Sequence, residues 1–401
     1  MFDAGCQKLR ETVKNFQIEV TTFDRFVVTE WDKPAGERQR ERLRNLIKEE
    51  LIRVPYRYLK SYGSYGAEIY SMQALDDGQV ICAEYGGYVR RSSPRDGVEM
   101  DKTGFRREHT HSVLVTRDQK TLITYSQMTR TIKLESFDEP GVNVGSIRLL
   151  DWNGRGESHL LEMNNGLIAY CNGHHIWIFG QKNNASEIKP TYCFEKRDYD
   201  KGITQLSDGR VVLLRDSGIA VFDCFSPILS MKEYDFDYPG MNMSCLAHLE
   251  GSKIVFGTKN DRPTAKVCIM DIDEIEKGYK KGIYIYDHLE VLGKLTPRYI
   301  TPNDAYYPSI TAITVTECGE VVTGDNFGNL YVWDRTGQLE SPRRIGEDNF
   351  GADFKIDKLT SLPDNKIIAA CEHHKKTGYA SSYDGQFDFF QLFGKYNKFL
   401  K

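Results

Sequence analysis

Six of the nine histidines stand in close pairs, the arrangement from which a metal site or a general base could be built. The pairs are His109 with His111, His174 with His175, and His373 with His374. Residues two apart on a strand share a face, whereas adjacent residues point to opposite faces. A zinc site takes more than two protein ligands, and no spacing in the sequence places a third ligand beside any pair. We therefore predict structural or surface histidines, with no metal and no cofactor.

The nine cysteines are scattered through the chain, without the Cys-x-x-Cys spacing of zinc and redox sites. Cys82, Cys171 and Cys371 fall within or at the end of short apolar runs. A free cysteine in such a run behaves as a small buried apolar residue, and reduced cysteines are typical of intracellular proteins. The sequence therefore predicts reduced cysteines and a cytoplasmic location, inside a host cell if the protein is microbial.

The common catalytic motifs are missing from the sequence. There is no Gly-x-Ser-x-Gly, no P-loop, no His-Glu-x-x-His, and no Gly-x-Gly-x-x-Gly between a strand and a helix. An enzyme would have to gather its catalytic residues from distant segments. The sequence therefore favours a binding protein and leaves an enzyme as the alternative.

The elements that must position these side chains are short strands, and they repeat. Residues 206–224 read LSDGRVVLLRDSGIAVFDC, in which polar turns alternate with short apolar runs, as in a β-hairpin. Seven such stretches occur, with turns at Gly78, Gln119, Gly166, Gly209, Gly251, Gly319 and Asn365. Five of the six intervals are 41–47 residues long and one is 68. A period of about 40–45 residues is typical of four-stranded propeller blades.

Each copy has the same order of parts. A first strand, such as ITAITV at 310–315, precedes the turn, and a mostly apolar second strand follows it. A third strand, such as LYVWD at 330–334, comes after a short loop, and a more polar segment leads to the next copy. A continuous apolar run indicates a strand that is buried on both faces. One such sheet cannot cover its own faces, so the sheets must pack on one another.

These repeats resemble those of the WD-repeat (WD40-like) β-propeller family, most closely in the sixth copy, which ends in Trp333-Asp334. At this pair other copies have Glu135-Ser136, Phe222-Asp223, Met270-Asp271 and Phe390-Gln391, and the family's Gly-His pair is missing. The resemblance covers residues 56–393 and identifies a diverged member. It implies an all-β fold, a seven-bladed β-propeller (WD40-like), here with an N-terminal helical extension.

The resemblance also implies a closed ring. Little chain follows the third strand of the seventh copy, whereas residues 56–63 offer a strand just before the first copy. Strands from both chain ends complete one blade in WD-repeat proteins, which removes a free sheet edge. The expected domains are an N-terminal helical extension at 1–55 and a propeller at 56–401.

Two segments lie outside the repeat pattern. In the extension, residues 3–16 and 32–54 have helical patterns, and the second carries an apolar stripe. This stripe packs on the propeller, binds a partner or lies on a membrane surface. The long interval corresponds to an insertion near 272–308, with a short helix predicted at 272–277 and a strand at 282–286. Long insertions in compact domains are often functional.

A basic stretch lies between the first two copies. Residues 88–107 hold six basic and three acidic side chains and end in Phe105-Arg106-Arg107. This ending is similar to the Phe-Arg-Arg-Gly motif of phosphoinositide-binding propellers, but Glu108 stands in place of the glycine. A solvated loop, an acidic or phosphorylated partner, and a lipid headgroup remain alternatives for this stretch.

In a WD-like ring, the loops that connect blades share one face with the loops between the two middle strands. We call this face the loop face. It should display tyrosine and arginine side chains, which are enriched at protein-binding hot spots. The predicted partner-binding residues are Tyr65, Arg107, His109, Arg155, Tyr199, Arg215, Tyr306 and Phe327. We predict a non-catalytic scaffold or adaptor that binds a protein or peptide there. The alternatives are an enzyme at the axial pocket and a phosphoinositide- or membrane-recruited propeller.

Charge and hydropathy limit the partners further. The net charge of −4 argues against broad nucleic-acid binding. No apolar run approaches the length of a membrane span, and no signal-peptide pattern opens the chain, so we predict a soluble protein. A monomer that binds a protein or peptide, including an acidic or phosphorylated one, is the expected form.

Overall fold

The computed structural model describes most of the chain. The described residues are 19–20, 26–27, 56–62, 69–84, 87–92, 101–106, 110–139, 141–150, 158–180, 187–193, 201–216, 218–223, 231–236, 242–259, 265–278, 289–295, 309–317, 319–333, 343–345, 354–363, 366–373 and 389–395.

The described residues form seven sheets of four or five strands, numbered here in chain order. Sheet 1 contains Ile69–Ala74, Val80–Glu84, Tyr88–Ser92 and Asp101–Arg106. Sheet 2 contains Thr110–Val115, Thr121–Ser126, Thr131–Ser136 and Asn143–Leu149, with Glu187–Ile188 as a parallel fifth strand. Sheet 3 contains Ser158–Glu162, Leu167–Asn172, His175–Gly180 and Tyr192–Cys193. Sheet 4 contains Gly202–Gln205, Arg210–Leu214, Gly218–Asp223 and Met231–Asp235.

The remaining sheets follow the same order of strands. Sheet 5 contains Asn242–Glu250, Lys253–Lys259, Ala265–Asp271 and Leu289–Leu295. Sheet 6 contains Ile310–Val315, Val321–Asp325, Leu330–Trp333 and Arg343–Ile345. Sheet 7 contains Phe354–Leu362, Lys366–His373, Phe389–Lys395 and, from the other end of the chain, Tyr56–Tyr62. Within each sheet the successive strands are antiparallel, apart from the added strand of sheet 2.

The turns between first and second strands have the predicted chemistry. In sheet 4, the Gly209 N–H donates to the Leu206 carbonyl at 3.0 Å, and Asp208 accepts the Arg210 N–H at 3.0 Å. Gly209 has a φ of 95°, which a residue without Cβ adopts at little cost. Gln119 occupies the same turn position in sheet 2 with a φ of 55°. The repeated turn residue therefore reflects a repeated backbone conformation.

The core is divided among the seams between neighbouring sheets. The described residues form seven hydrophobic clusters, and each joins two consecutive sheets. The cluster of Val80 and Cys82 with Ile368 and Ala370 joins sheet 7 back to sheet 1. The first strands also contact one another in sequence order, and that of sheet 7 contacts that of sheet 1. The second strand of sheet 1, Val80–Glu84, is buried at every residue, as expected of a strand covered on both faces.

The segments outside the repeats are only partly described. The strands Glu19–Val20 and Phe26–Val27 pair antiparallel within the N-terminal region, and both predicted helices of that region lie outside the described residues. In the insertion a helix covers Ile272–Gly278, close to its predicted position, with Ile272 and Ile275 buried against sheets 4 and 5. The strand predicted at 282–286 also lies outside the described residues.

Gly257 and Gly324 allow neighbouring sheets to approach closely. Gly324 provides a test of this packing. A Cβ added at Gly324 in sheet 6 would lie 2.5 Å from the Ile356 Cβ in sheet 7. We expect Gly324→Ala to lower the free energy of unfolding by about 1–3 kcal/mol, because the seam has no room for a methyl group. Urea unfolding measures the effect.

The matched control is Gly145→Ala in the outer strand of sheet 2. A Cβ at Gly145 meets no atom within 4 Å. Alanine there should be neutral or slightly stabilising, because a strand glycine has a higher entropic cost of ordering. Equal effects of the two substitutions would contradict the close approach of sheets 6 and 7.

Candidate functional site

The turns between second and third strands lie at one end of the sheets, and they define the loop face in the structure. Their described residues are 87, 127–130, 173–174, 215–216 and 326–329. Because neighbouring strands are antiparallel, the fourth strand of each sheet ends, and the first strand of the next sheet begins, at this same end. Any surface assembled from these two sets of loops draws residues from distant parts of the chain.

Most of the predicted contact residues cannot be placed. Six of them lie outside the described residues and stay predictions: Tyr65, Arg107, His109, Arg155, Tyr199 and Tyr306. Arg215 and Phe327 are described.

Arg215 is not an exposed contact residue, and the expectation that it would display its guanidinium on the surface is corrected. Its side chain is 0% exposed. Nη1 donates to Glu233 at 2.8 Å and Nη2 donates to Asp235 at 2.6 Å, both on the outer strand of sheet 4. Its backbone N–H also donates to the Gly218 carbonyl at 2.9 Å across the turn. Arg215 therefore holds the turn in place from inside the sheet.

Phe327 is half-buried in a turn that Asp325 organises. Asp325 Oδ1 accepts the backbone N–H groups of Phe327 at 2.9 Å and Asn329 at 2.8 Å. Its Oδ2 accepts the Asn329 side-chain amide at 2.9 Å. Burial raises the pKa of Asp325, and these hydrogen bonds oppose that increase. Hydrogen bonds to the buried Asp325 carboxyl group therefore help to hold the backbone of Phe327 in place.

A buried polar residue ends the second strand in most of the sheets. The described members of this group are Glu84, Ser126, Asn172 and Asp325, with Thr258 one residue before the end of its strand and Arg215 one residue past its strand. Sequence reasoning missed this group. The available signal was a polar residue directly after an apolar run, and any strand end in a soluble protein could carry that signal.

These side chains hold the backbone of their turns. Asn172 accepts the N–H groups of His174 at 3.3 Å and His175 at 3.2 Å. Thr258 accepts the Lys266 N–H at 2.8 Å on the adjacent strand. Local hydrogen bonds of this kind order a turn in place of the backbone ladder that ends there. The described loop-face turns are therefore anchored from within.

In sheet 1 the anchoring group is a buried ion pair. Glu84 is 0% exposed, and its Oε2 accepts the Arg90 Nε–H at 2.7 Å. Burial raises the pKa of Glu84, while Arg90 opposes the shift. Burial together with the nearby Glu84 also raises the pKa of the Cys82 thiol well above its usual value. Cys82 is thus an inert core residue, as predicted from its apolar surroundings.

The first strands of the sheets, which contact one another in sequence order, form a second candidate region. Five of them contain a β-bulge near their start, and the bulged residues are Tyr70, His111, Ser244, Thr311 and Asp357. Bulges re-aim side chains and are frequent at the rims of closed structures.

The bulged residues reach across the seams. Tyr70 and His111 stack with ring centroids 4.5 Å apart, Thr311 donates to the Ile356 carbonyl, and Ser244 donates to the Ile310 carbonyl. Asp357 instead pairs with Lys355 on its own strand. Within the described residues, no group of three His, Cys, Asp or Glu side chains is placed to hold a metal ion. No helix in the same ranges has the length and apolar character needed to cross a bilayer.

Comparisons with known proteins reveal similarity in fold alone. No protein-family model matches the chain, and no curated protein sequence matches it. The WD40 β-propeller domain of Doa1 aligns with a TM-score of 0.57 and 12% identity, covering 85% of this chain and 97% of that one. The Cps50 (Swd1) β-propeller domain of Myceliophteria thermophila aligns with a TM-score of 0.54 and 11% identity, covering 85% and 99%. The chain has a WD40-like β-propeller fold.

A further structure similar to this propeller is a streptogramin B lyase. It aligns with a TM-score of 0.57 and 11% identity, covering 84% of this chain and 98% of that one. The fold is therefore compatible with binding proteins and with enzymes, and function has to be argued from the site.

The tryptophan of the Trp333-Asp334 pair has a structural place in this propeller. Trp333 is 2% exposed and packs in the seam between sheets 5 and 6, against Val267 and Ile310. Its Nε1–H donates to the buried Thr323 hydroxyl at 2.7 Å on the adjacent strand. The residue that carries the family resemblance thus joins two sheets and satisfies its one polar atom internally.

Proposed function

We propose that residues 56–401 form a seven-bladed ring, in which sheets 1 to 7 are the blades. The cyclic order of the core clusters supports this proposal, since the last cluster returns to sheet 1. The strand Tyr56–Tyr62 supports it as well, because it completes sheet 7 beside Phe389–Lys395. A ring closed by strands from both chain ends resists opening at that blade. The extension at 1–55 and the insertion near 272–308 would add to the surface of the ring.

We propose that the protein is a non-catalytic scaffold that binds a protein or peptide on the loop face. The observation that supports this most is the set of buried side chains that anchor the loop-face turns, from Glu84 to Asp325. Anchored turns hold their exposed residues in one arrangement before the partner arrives. Less conformational entropy is then lost on binding, which raises affinity.

The proposed contact residues combine aromatic and basic side chains. They are Tyr65, Arg107, His109, Arg155, Tyr199, Tyr306 and Phe327. Arg215 is left out because it is buried. The arginines suit an acidic or phosphorylated partner, since guanidinium groups bind carboxylates and phosphates in a bidentate manner. We propose that the protein acts as a cytoplasmic monomer without binding nucleic acid.

An enzyme with its active site at the axial pocket is the second candidate. Tyr70, His111 and Asp357 occupy equivalent bulges in three consecutive sheets, counting from sheet 7 through sheet 1 to sheet 2. A phenol, an imidazole and a carboxylate are groups that transfer protons in active sites. The likeness to a lyase keeps this candidate open.

An affinity pull-down tests the scaffold proposal. The variant Arg107→Glu/Arg155→Glu/Tyr306→Ala alters three proposed contacts on the loop face. We expect a partner retained by the wild-type protein to be lost by this variant, at least tenfold, while urea unfolding of the variant remains within about 0.5 kcal/mol of wild type.

The control variant is Lys120→Glu/Lys277→Glu, which reverses two exposed charges at the opposite end of the sheets. It should retain the partner. Loss of binding in both variants would indicate a nonspecific charge effect and would contradict docking on the loop face. If only anionic liposomes retain the protein, membrane recruitment replaces the scaffold proposal. If nothing is retained, the axial pocket becomes the region to screen for ligands.

A further inference from the structure

The turn between the first two strands of sheet 3 carries an amide where three equivalent turns carry a carboxylate. In sheets 1, 2 and 4 the residue before the one with positive φ is Asp77, Asp118 or Asp208. Each of these aspartates accepts the backbone N–H of the residue two positions later, at 2.9–3.1 Å. In sheet 3 the equivalent residue is Asn165, whose Oδ1 accepts the Leu167 N–H at 3.1 Å. The turn geometry is thus retained while the side chain differs.

Asn165 is followed by Gly166, and the pair lies in an exposed turn. Asn165 itself is exposed. Gly166 has a φ of 78°, and among the described residues no atom beyond its chain neighbours lies within 4 Å of a Cβ built there. Asparagine is one of the chemically labile residues. It is most reactive before glycine, because no Cβ hinders attack on its side-chain amide by the following backbone nitrogen.

The reaction available to this pair is deamidation. The Gly166 nitrogen gives its proton to hydroxide and forms a bond to Asn165 Cγ, while the bond from Cγ to Nδ2 breaks. The Nδ2 nitrogen takes a proton from water and leaves as ammonia, and a five-membered succinimide ring remains. Water then adds to one of the two ring carbonyl carbons and opens the ring, which yields aspartate or isoaspartate. Water is thus the only co-reactant, and no oxidation or reduction takes place.

Two hydrogen bonds of the turn act on this reaction in opposite directions. The Leu167 N–H bond to Asn165 Oδ1 folds the side chain over the following peptide and stabilises the negative charge that develops on this oxygen during attack. The Gly166 N–H donates to the Met163 carbonyl at 2.9 Å, which restrains the attacking nitrogen. The second bond is broken when the turn opens locally, and local opening at an exposed turn requires far less free energy than unfolding. Deamidation can therefore proceed in the folded protein.

Two other described asparagines each lack one of the features that Asn165 combines. Asn172 precedes Gly173 but is 2% exposed, and its Oδ1 accepts two backbone N–H groups of its own turn. Asn143 is exposed but precedes Val144, whose branched side chain hinders attack by its nitrogen. Among these three asparagines, only at Asn165 do exposure and the following residue both favour the reaction.

We propose that Asn165 is a modification site at which the folded protein deamidates, and that the fold accepts the aspartate product. Aspartate would restore the carboxylate that Asp77 and Asp208 provide in equivalent turns. Isoaspartate adds one carbon to the main chain of a turn in which the Asn164 N–H donates to Gln205 Oε1 of sheet 4 at 2.7 Å. The inference concerns the end of the sheets opposite the loop face, and it does not depend on the proposed scaffold function.

Peptide mapping by mass spectrometry of the incubated full chain tests the site. We expect the peptide that contains Asn165 to show the mass increase of an amide converted to an acid. The rate should rise in proportion to hydroxide concentration, because hydroxide removes the Gly166 N–H proton. Asn143 and Asn172 should retain their amides over the same period. Retention of the amide at Asn165, under conditions in which the urea-unfolded chain loses it, would show that the turn protects this residue and would overturn the proposal.

The two internal controls make the assignment specific. Conversion of Asn172 at the same rate as Asn165 would indicate that the reaction passes through unfolding of sheet 3, and would contradict a reaction in the folded protein. Conversion of Asn143 at that rate would contradict the requirement for a following glycine. Conversion confined to Asn165 supports the site.

The variant Asn165→Asp tests whether the fold accepts the product. A carboxylate oxygen accepts the Leu167 N–H as the amide oxygen does, so the urea midpoint should not change. A clear fall of the midpoint contradicts the second half of the proposal. Isoaspartate in the aged protein is separated from aspartate by chromatography of the same peptide, and the fraction of chains that carry it should unfold at lower urea concentration than the variant.

Discussion

Replacing Trp333 with alanine is expected to lower the free energy of unfolding by about 3–5 kcal/mol. The indole fills the seam between sheets 5 and 6 and is 2% exposed, so its removal leaves a cavity that the surrounding strands cannot close. The cost should appear as a shift of the urea midpoint without a large change in slope. A loss of this size is a large fraction of the stability of a typical domain.

A graded series separates the volume of Trp333 from its hydrogen bond. Trp333→Phe retains most of the apolar contact but leaves the buried Thr323 hydroxyl without its donor, so a loss of about 1–3 kcal/mol is expected. Trp333→Phe/Thr323→Val removes both polar groups and should recover much of that loss. If the double variant is no more stable than Trp333→Phe, the hydrogen bond does not contribute as described.

Neutralising the two acids around Arg215 is expected to have the next largest effect. Glu233→Gln/Asp235→Asn leaves the guanidinium, which is 0% exposed, without its two carboxylates. The expected cost is about 1–3 kcal/mol, because the amide oxygens still accept the guanidinium N–H groups but no longer balance its charge. Equilibrium unfolding in urea, with circular dichroism of the folded variants as a check on the sheets, measures this cost.

The matched control removes all three charges together. Arg215→Met in the background of Glu233→Gln/Asp235→Asn replaces the buried cation with an apolar side chain of similar length. This triple variant should be more stable than the double variant, since no unpaired charge remains. The single variant Arg215→Met should lose less than the acid pair, because Glu233 and Asp235 are 24% and 47% exposed and stay hydrated. The reverse order of stabilities would contradict burial of Arg215.

The same anchoring supports the proposed binding of a partner on the loop face. A turn held by a buried carboxyl, amide or guanidinium has few alternative conformations, so its exposed side chains meet a partner already arranged. Arg215 also connects two sheets indirectly, since Glu233 of sheet 4 accepts a hydrogen bond from the Tyr192 hydroxyl of sheet 3 at 2.9 Å.

The repeat architecture could be predicted from the sequence because its signals are local. Turn residues such as Gly78 and Gly209 take the positive φ that their place in a tight turn requires. Apolar runs such as residues 80–83 are buried strands, and the short helix in the insertion lies close to its predicted position. The WD-like likeness of the sixth copy likewise corresponds to the fold found by structural comparison. Each of these features depends on neighbours a few positions away in the chain.

The site depended on contacts that no local pattern encodes. Arginine is a residue type that is usually exposed. The acids that allow the burial of Arg215 come only from the outer strand of its sheet, some twenty residues later. The aromatic cluster between sheets 2 and 3 requires Tyr125 from one sheet and Tyr170 with Trp177 from the next. Periodicity and turn chemistry determine where strands begin and end, because backbone conformation is set by near neighbours. Which polar groups become buried, and beside which partners, is decided when separate sheets pack, because desolvation and pairing depend on distances through space.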